Sequence, residues 1–234
     1  VEGDRSHQFR ILRAVKNRVG PTDEIGVFEM AGSGLVEVEN PSEIFLSQRN
    51  QDVAGSAVLA ALEGSRPMVV EVQALVAPSS LASPRRSVIG WDPNRLAMIV
   101  AVLETRIGVQ ISTCDIFLNI AGGIRISEPA ADLAVAAALI SALQNNPLPP
   151  EMVFFGEGGL AGEIRQVAQP DLRLKEASKL GFREAVIPKI KKKGSKYSGP
   201  RKVAANEIRV SELDHVQMLA DLFSTNSAPK AYAV

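Results

Sequence analysis

The first forty residues hold only short apolar runs, broken by Gly26, Gly32, Gly34 and Pro41. Phe28 and Met30 alternate with Val27 and Glu29, the period of a strand. A linker is expected around Glu39 to Glu43, with a second unit beginning near Ile44. There, two apolar runs flank the turn-rich Glu63-Gly64-Ser65-Arg66-Pro67, which predicts a hairpin. Its second run, Met68 to Val76, puts Val70, Val72 and Ala74 on one face. Asp92-Pro93 opens a helix, with Asp92 as N-cap and Pro93 at the first helical position. Leu96, Ile99, Val100, Leu103 and Ile107 form its apolar stripe, and Gly108 ends it. Ser112 to Ile120 alternates as a strand, with Cys114, Ile116, Leu118 and Ile120 on one side. A second helix, Pro129 to about Gln144, is apolar nearly all round and is expected to be buried. Met152 to Phe155 and Gly162 to Val167 read as strands, and Pro170 to Gly181 as a third helix. Ala185 to Ile187 and Ile208 to Val210 are further strands, and Leu213 to Phe223 a last helix. From Ser224 onward no packing pattern remains, so a disordered tail is expected.

This succession of strands and helices predicts an α/β fold, and the composition agrees. Hydrophobic residues make up 46% of the 234, charged residues 22% and aromatic residues only 5%, favouring packed α/β layers over an aromatic-rich sandwich. Lys plus Arg (26) balances Asp plus Glu (26), so any affinity for nucleic acid has to rest on local clusters. The single cysteine, Cys114, excludes a disulfide framework and a cysteine-rich zinc site, and fits a reducing compartment. No apolar run approaches the roughly 20 residues of a membrane span, so no membrane partner is expected. The chain starts at Val1 without an initiator Met or leader, and reads as a fragment of a longer protein. His7 and His215 lie at opposite ends, so no histidine triad or metal site is expected.

Four stretches carry a resemblance to the RadA/Sms family of DNA-repair proteins. The first is RILRAVKNRVGPTDEIGVFEM, in which the family's KNRFG signature stands as Lys16-Asn17-Arg18-Val19-Gly20. The others are QALVAPSSLASPRRSVIGWDPNRL, LNIAGGIRISEPAADLAVAAALISA and FGEGGLAGEIRQVAQPDLRLKEASKLGF. Val19 departs from the signature by replacing its Phe. The resemblance implies a zinc finger, a RecA-like ATPase and a C-terminal domain shaped like the Lon peptidase domain, of the ribosomal protein S5 domain 2-like kind. Residues 1–40 would then be the last strands of the ATPase, 41–223 the Lon-like domain and 224–234 the tail.

For the longer protein the resemblance implies ATP, Mg and zinc; none is expected in this fragment, which lacks a GxxxxGK(S/T) loop. It implies a hexameric, DNA-dependent ATPase for branch migration of recombination intermediates, alongside a RecA-type recombinase. The compartment would be a bacterial cytoplasm, or a plastid or mitochondrion in a plant.

Lon-type peptidases use a Ser-Lys dyad, in which the lysine takes the serine's proton. In the matching stretch Glu128-Pro129-Ala130-Ala131-Asp132, Ala130 stands at the serine position. Aligned on Gly181, the lysine position holds Asp171, with Lys175 one turn further on a face expected to be solvated. No peptidase activity is expected.

The cations divide into three groups. Lys16, Asn17, Arg18 and Gly20 would, by the resemblance, couple to a neighbour's ATP, or else be surface groups after a helix. Arg85 and Arg86, expected on an exposed turn, and Arg95 beyond them could meet phosphates or be solvated. Lys189, Lys191, Lys192, Lys193 and Lys196 form the densest cluster, with Arg201 and Lys202 following. The cluster suits sequence-independent contact with single- or double-stranded DNA, or a plain solvated loop. Trp91 is expected to be a packing residue, as is Cys114.

Overall fold

The computed structural model describes residues 9–13, 25–38, 42, 46, 49, 52–189 and 208–224. The KNRVG segment, the basic run from residue 190 to 207 and the tail beyond Ser224 lie outside the described residues.

Near the start, β1 (Phe9–Arg13), β2 (Ile25–Ala31) and β3 (Gly34–Glu37) form an antiparallel meander. The rest of the strands build one seven-stranded sheet and a small ribbon. The sheet contains β4 (Ser56–Glu63), β5 (Arg66–Pro78), β6 (Arg86–Ile89) and β7 (Cys114–Ile120). Its remaining strands are β8 (Met152–Phe154), β11 (Glu184–Pro188) and β12 (Arg209–Leu213). The order is β12-β11-β8-β4-β5-β7-β6. The pairs β4–β5 and β5–β7 are antiparallel and the others parallel, so the expected α/β class holds as a mixed sheet.

The hairpin forms as expected but turns more tightly. Only Gly64 and Ser65 connect the strands, Gly64 at φ +60°, and Pro67 already pairs with Leu62. Helix α1 (Pro93–Ile107) starts where Asp92 accepts the Asn94 N–H at 2.7 Å, and stops at left-handed Gly108. A 3-10 turn (Pro129–Ala131) leads into α2 (Asp132–Gln144), buried from Asp132 to Ser141. An all-apolar helix buries itself by lying across β4 and β5 with α1 alongside. Helix α3 (Pro170–Lys179) packs on the same two strands.

Three expectations need correction. Arg86 is not in a turn but begins β6, because Arg85 and Arg86 are drawn onto β7; Ile116 N–H donates to the Arg85 carbonyl at 2.9 Å. Of the strand expected over Gly162 to Val167, only β10 (Ile164–Arg165) forms, paired with β9 (Glu157–Gly158). Gly159 N–H bonds back to the Glu163 carbonyl at 2.8 Å, so a tight turn takes up the start of the segment. The last helix, α4 (Val216–Ser224), starts after Leu213, which is the final residue of β12 opposite Pro188. His215 then starts it, its Nδ1 accepting the Gln217 N–H at 3.2 Å while Nε2 meets the Ala161 carbonyl at 3.1 Å.

Candidate functional site

The turn before α2 is where a nucleophile is expected, and several side-chain hydrogen bonds surround it. Ala130 is 1% exposed. Its carbonyl accepts the Gly156 N–H at 2.9 Å, and the Gly156 carbonyl accepts the Leu133 N–H at 3.1 Å. The chain leaving β8 is thereby pinned to the start of α2. Asp171 and Lys175 are both exposed, while the buried face of α3 is Arg173, Leu174 and Ala177. A methyl group at Ala130 offers no nucleophile, and no lysine amine faces it from α3.

Two arginine–carboxylate pairs flank Ala130. Glu128 accepts from Arg173 through both oxygens, at 2.9 and 2.6 Å, and from the Leu62 N–H at 2.6 Å. Arg173, 2% exposed, also donates to the Ala60 carbonyl at 2.8 Å and the Ala168 carbonyl at 2.9 Å. Its guanidinium carbon lies 5.6 Å from the Phe155 ring centre.

These bonds complete a strand ladder with side chains. Phe154 of β8 sits opposite Leu59 of β4 in parallel register, so Gly156 would fall opposite Ala61. There it would donate to the Ala60 carbonyl and accept from the Leu62 N–H. Gly156 is instead committed to Ala130 and Leu133, and the Arg173–Glu128 pair supplies the missing donor and acceptor.

The second pair joins α1 to α2. Arg95 donates to Asp132 through Nε at 2.9 Å and through its terminal nitrogen, and the Gly158 N–H reaches the same carboxylate at 2.9 Å. Burial raises the pKa of Asp132, against the pull of Arg95 and Gly158; the bond to Asp132 raises that of Arg95. The directions are compatible: the guanidinium gains a partner while keeping some water, and the carboxylate loses its hydration. Each carboxylate accepts three hydrogen bonds, two from an arginine and one from a backbone N–H.

The remaining cations are more occupied than their sequence suggests. Arg86 donates to the carbonyls of Ser112 (2.7 Å), Cys114 and Arg85 (3.0 Å). Arg95 does not extend an arginine patch, because Asp132 holds it. Lys189 lies 3.4 Å from Asp214. Arg85 is exposed, with its backbone N–H on Asp115 at 2.7 Å. Lys16, Asn17, Arg18, Gly20, Lys191, Lys192, Lys193 and Lys196 lie outside the described residues. Trp91 is buried as expected. Among the described residues no group of three or more His, Cys, Asp or Glu could hold a metal, and no helix is long and apolar enough to cross a membrane.

Sequence reasoning missed both ion pairs. The available signal was Glu128 and Asp132 at the mouth of a largely apolar helix, where a carboxylate cannot be buried without a partner.

Fold and site define a mixed-sheet α/β domain whose helix start, around buried Ala130, is braced by arginine–carboxylate pairs. A family model described as subunit ChlI of Mg-chelatase matches residues 94–200. The chain is 62% identical over 187 residues to the DNA repair protein RadA of Brucella abortus (strain 2308), covering 80% of this chain and 40% of that protein. It is 58% identical over 188 residues to the RadA of Rickettsia bellii (80% and 42%). Against the RadA of Synechocystis sp. it is 54% identical over 188 residues (80% and 37%). The chain belongs to the RadA family, and spans about two fifths of the length of these curated relatives.

Proposed function

We propose that this chain is the non-proteolytic, Lon-like part of a RadA-type DNA-repair ATPase, serving as an assembly scaffold and a contact for the DNA backbone. That these relatives are DNA repair proteins supports the repair role. The observation that carries the non-proteolytic reading is the buried Ala130 methyl at the nucleophile's place, with Asp171 exposed on α3. In the whole protein, ATP hydrolysis on a hexameric ring would drive branch migration of recombination intermediates. Lys16 and Arg18 would then face a neighbour's nucleotide.

DNA contact would fall to Lys189 and the lysines at 191–193 and 196. If about four to six cations neutralise phosphates, log K falls against log salt with a slope of roughly −4 to −5. Fluorescence anisotropy of a labelled duplex, titrated with this chain at several salt concentrations, tests the reading. Absence of binding at low salt removes the DNA contact. A second reading, assembly without DNA contact, is favoured by the occupation of Arg86, Arg95 and Lys189 with protein acceptors.

A further inference from the structure

One face of the seven-stranded sheet, that of Val70, Val72, Ala74, Ile116, Leu118 and Ile120, is buried. The other is buried over β4 and the start of β5, at Val58, Ala60, Val69 and Glu71, and bare from Gln73 outward. On that bare part Leu75 is 59% exposed, Ile89 53% and Phe117 38%. Strand register sets Leu75, Phe117 and Ser87 in one row, and Gln73, Asn119 and Ile89 in the next. Asn119 donates to Gln73 at 3.1 Å and Gln73 to Glu71 at 3.0 Å, which ties the amides down beside the apolar row. On the other flank, Asp115 of β7 accepts the Arg85 N–H just before β6. An apolar middle containing an aromatic ring, with amides on one side and one charge of each sign on the other, has the make-up of a protein interface.

We propose that this face is an isologous interface between two copies of this chain. Charge decides the occupant. The middle is uncharged and the flank holds one arginine against one aspartate, which gives a nucleic-acid backbone no net attraction. A second copy finds its complement here. A two-fold axis along the strands, between β7 and β6, sets each Asp115 across from an Arg85 and each bulky Phe117 over a small Ser87. Packed sheets lie about 10 Å apart, so the rings fill the space between them.

This rests on the assembly half of the proposed function and adds a two-fold contact to the head-to-tail contacts a ring makes; the test separates the two. Light scattering of this chain is expected to give an even multiple of 25.0 kDa. Phe117→Glu is expected to halve the mass with the circular dichroism spectrum unchanged. In a Cys114→Ser background, Ser87→Cys is expected to cross-link copy to copy through a bismaleimide of about 10 Å span, the spacing of packed sheets. A wild-type chain that stays monomeric overturns both the interface and the scaffold reading. An assembly that Phe117→Glu leaves intact, or in which Ser87→Cys does not cross-link, overturns the interface and leaves the scaffold reading standing. If Phe117→Glu instead abolishes binding of an oligothymidine without changing the mass, the face holds nucleic acid and the proposal is wrong.

Discussion

Asp132 stands at the first position of an otherwise apolar helix, with its carboxylate buried beside a partly exposed Arg95. Because burial raises its folded pKa, its contribution to stability is fully present below the ordinary value of 3.8 and is lost as pH rises through the folded value. Comparing urea unfolding of the wild type and Asp132→Asn across pH isolates that contribution. The wild type's advantage over the variant is expected to shrink as pH rises; an advantage that grows would mean the Arg95 pair outweighs desolvation. Two residues away, Ala130→Ser is expected to leave the chain without peptidase activity. It restores a hydroxyl at a cost of about 1–3 kcal/mol if unpaired, but Asp171 supplies no amine and lies exposed. A serine-reactive phosphonate that labels Ala130→Ser stoichiometrically would overturn this. At this scale the sequence was legible where burial follows the apolar run into α2, as at Ala130. It was opaque where a residue is paired: Arg95 and Asp132 are 37 positions apart, and nothing in either neighbourhood names the other.

Where β8 leaves β4, the Glu128–Arg173 pair takes over the ladder, so an element boundary depends on side chains. Arg173→Met would strand the partly buried Glu128 carboxylate and the buried Ala60 carbonyl. A loss of about 3–5 kcal/mol is expected, as for other broken buried pairs. Glu128→Leu strands the guanidinium and the Leu62 N–H, with a similar loss. The double variant buries no unpaired charge, leaving only two backbone groups unsatisfied at about 1–3 kcal/mol each. Its loss is therefore expected to fall short of the sum of the single losses, as measured by chemical denaturation in a double-mutant cycle. Strict additivity would show that the two groups do not act as a unit. Most elements were legible because their burial is periodic: the α1 stripe, the alternation in β7 and the all-apolar α2 each formed where expected. The exceptions lie where hydrogen bonds rather than apolar pattern set the boundary. Gly159 turning back onto Glu163, and β12 held to Leu213 by its pairing with β11, leave no hydrophobic trace.

Over the whole molecule 26 cations balance 26 anions, so no long-range field draws the chain to a polyanion. Affinity for DNA, if the proposed contact holds, must come from cations that lack a protein partner close by. The described residues narrow that set: Arg86 and Arg95 are spoken for by carbonyls and by Asp132, and Lys189 pairs with exposed Asp214. The exposed Lys189 pair is worth little in water, so a phosphate can displace Asp214. The partly buried Arg95 pair cannot be surrendered without stranding Asp132. Neutralising Lys191, Lys192 and Lys193 together should therefore weaken duplex binding for all sequences alike. It should also flatten the slope of log K against log salt by about 0.9 for each phosphate contact removed. Arg95→Gln should leave the slope unchanged while lowering stability. Anisotropy titrations across a salt series, with thermal unfolding in parallel, read both effects. A slope that responds to Arg95→Gln and not to the lysines would place the contact on the face of α1 and contradict this assignment.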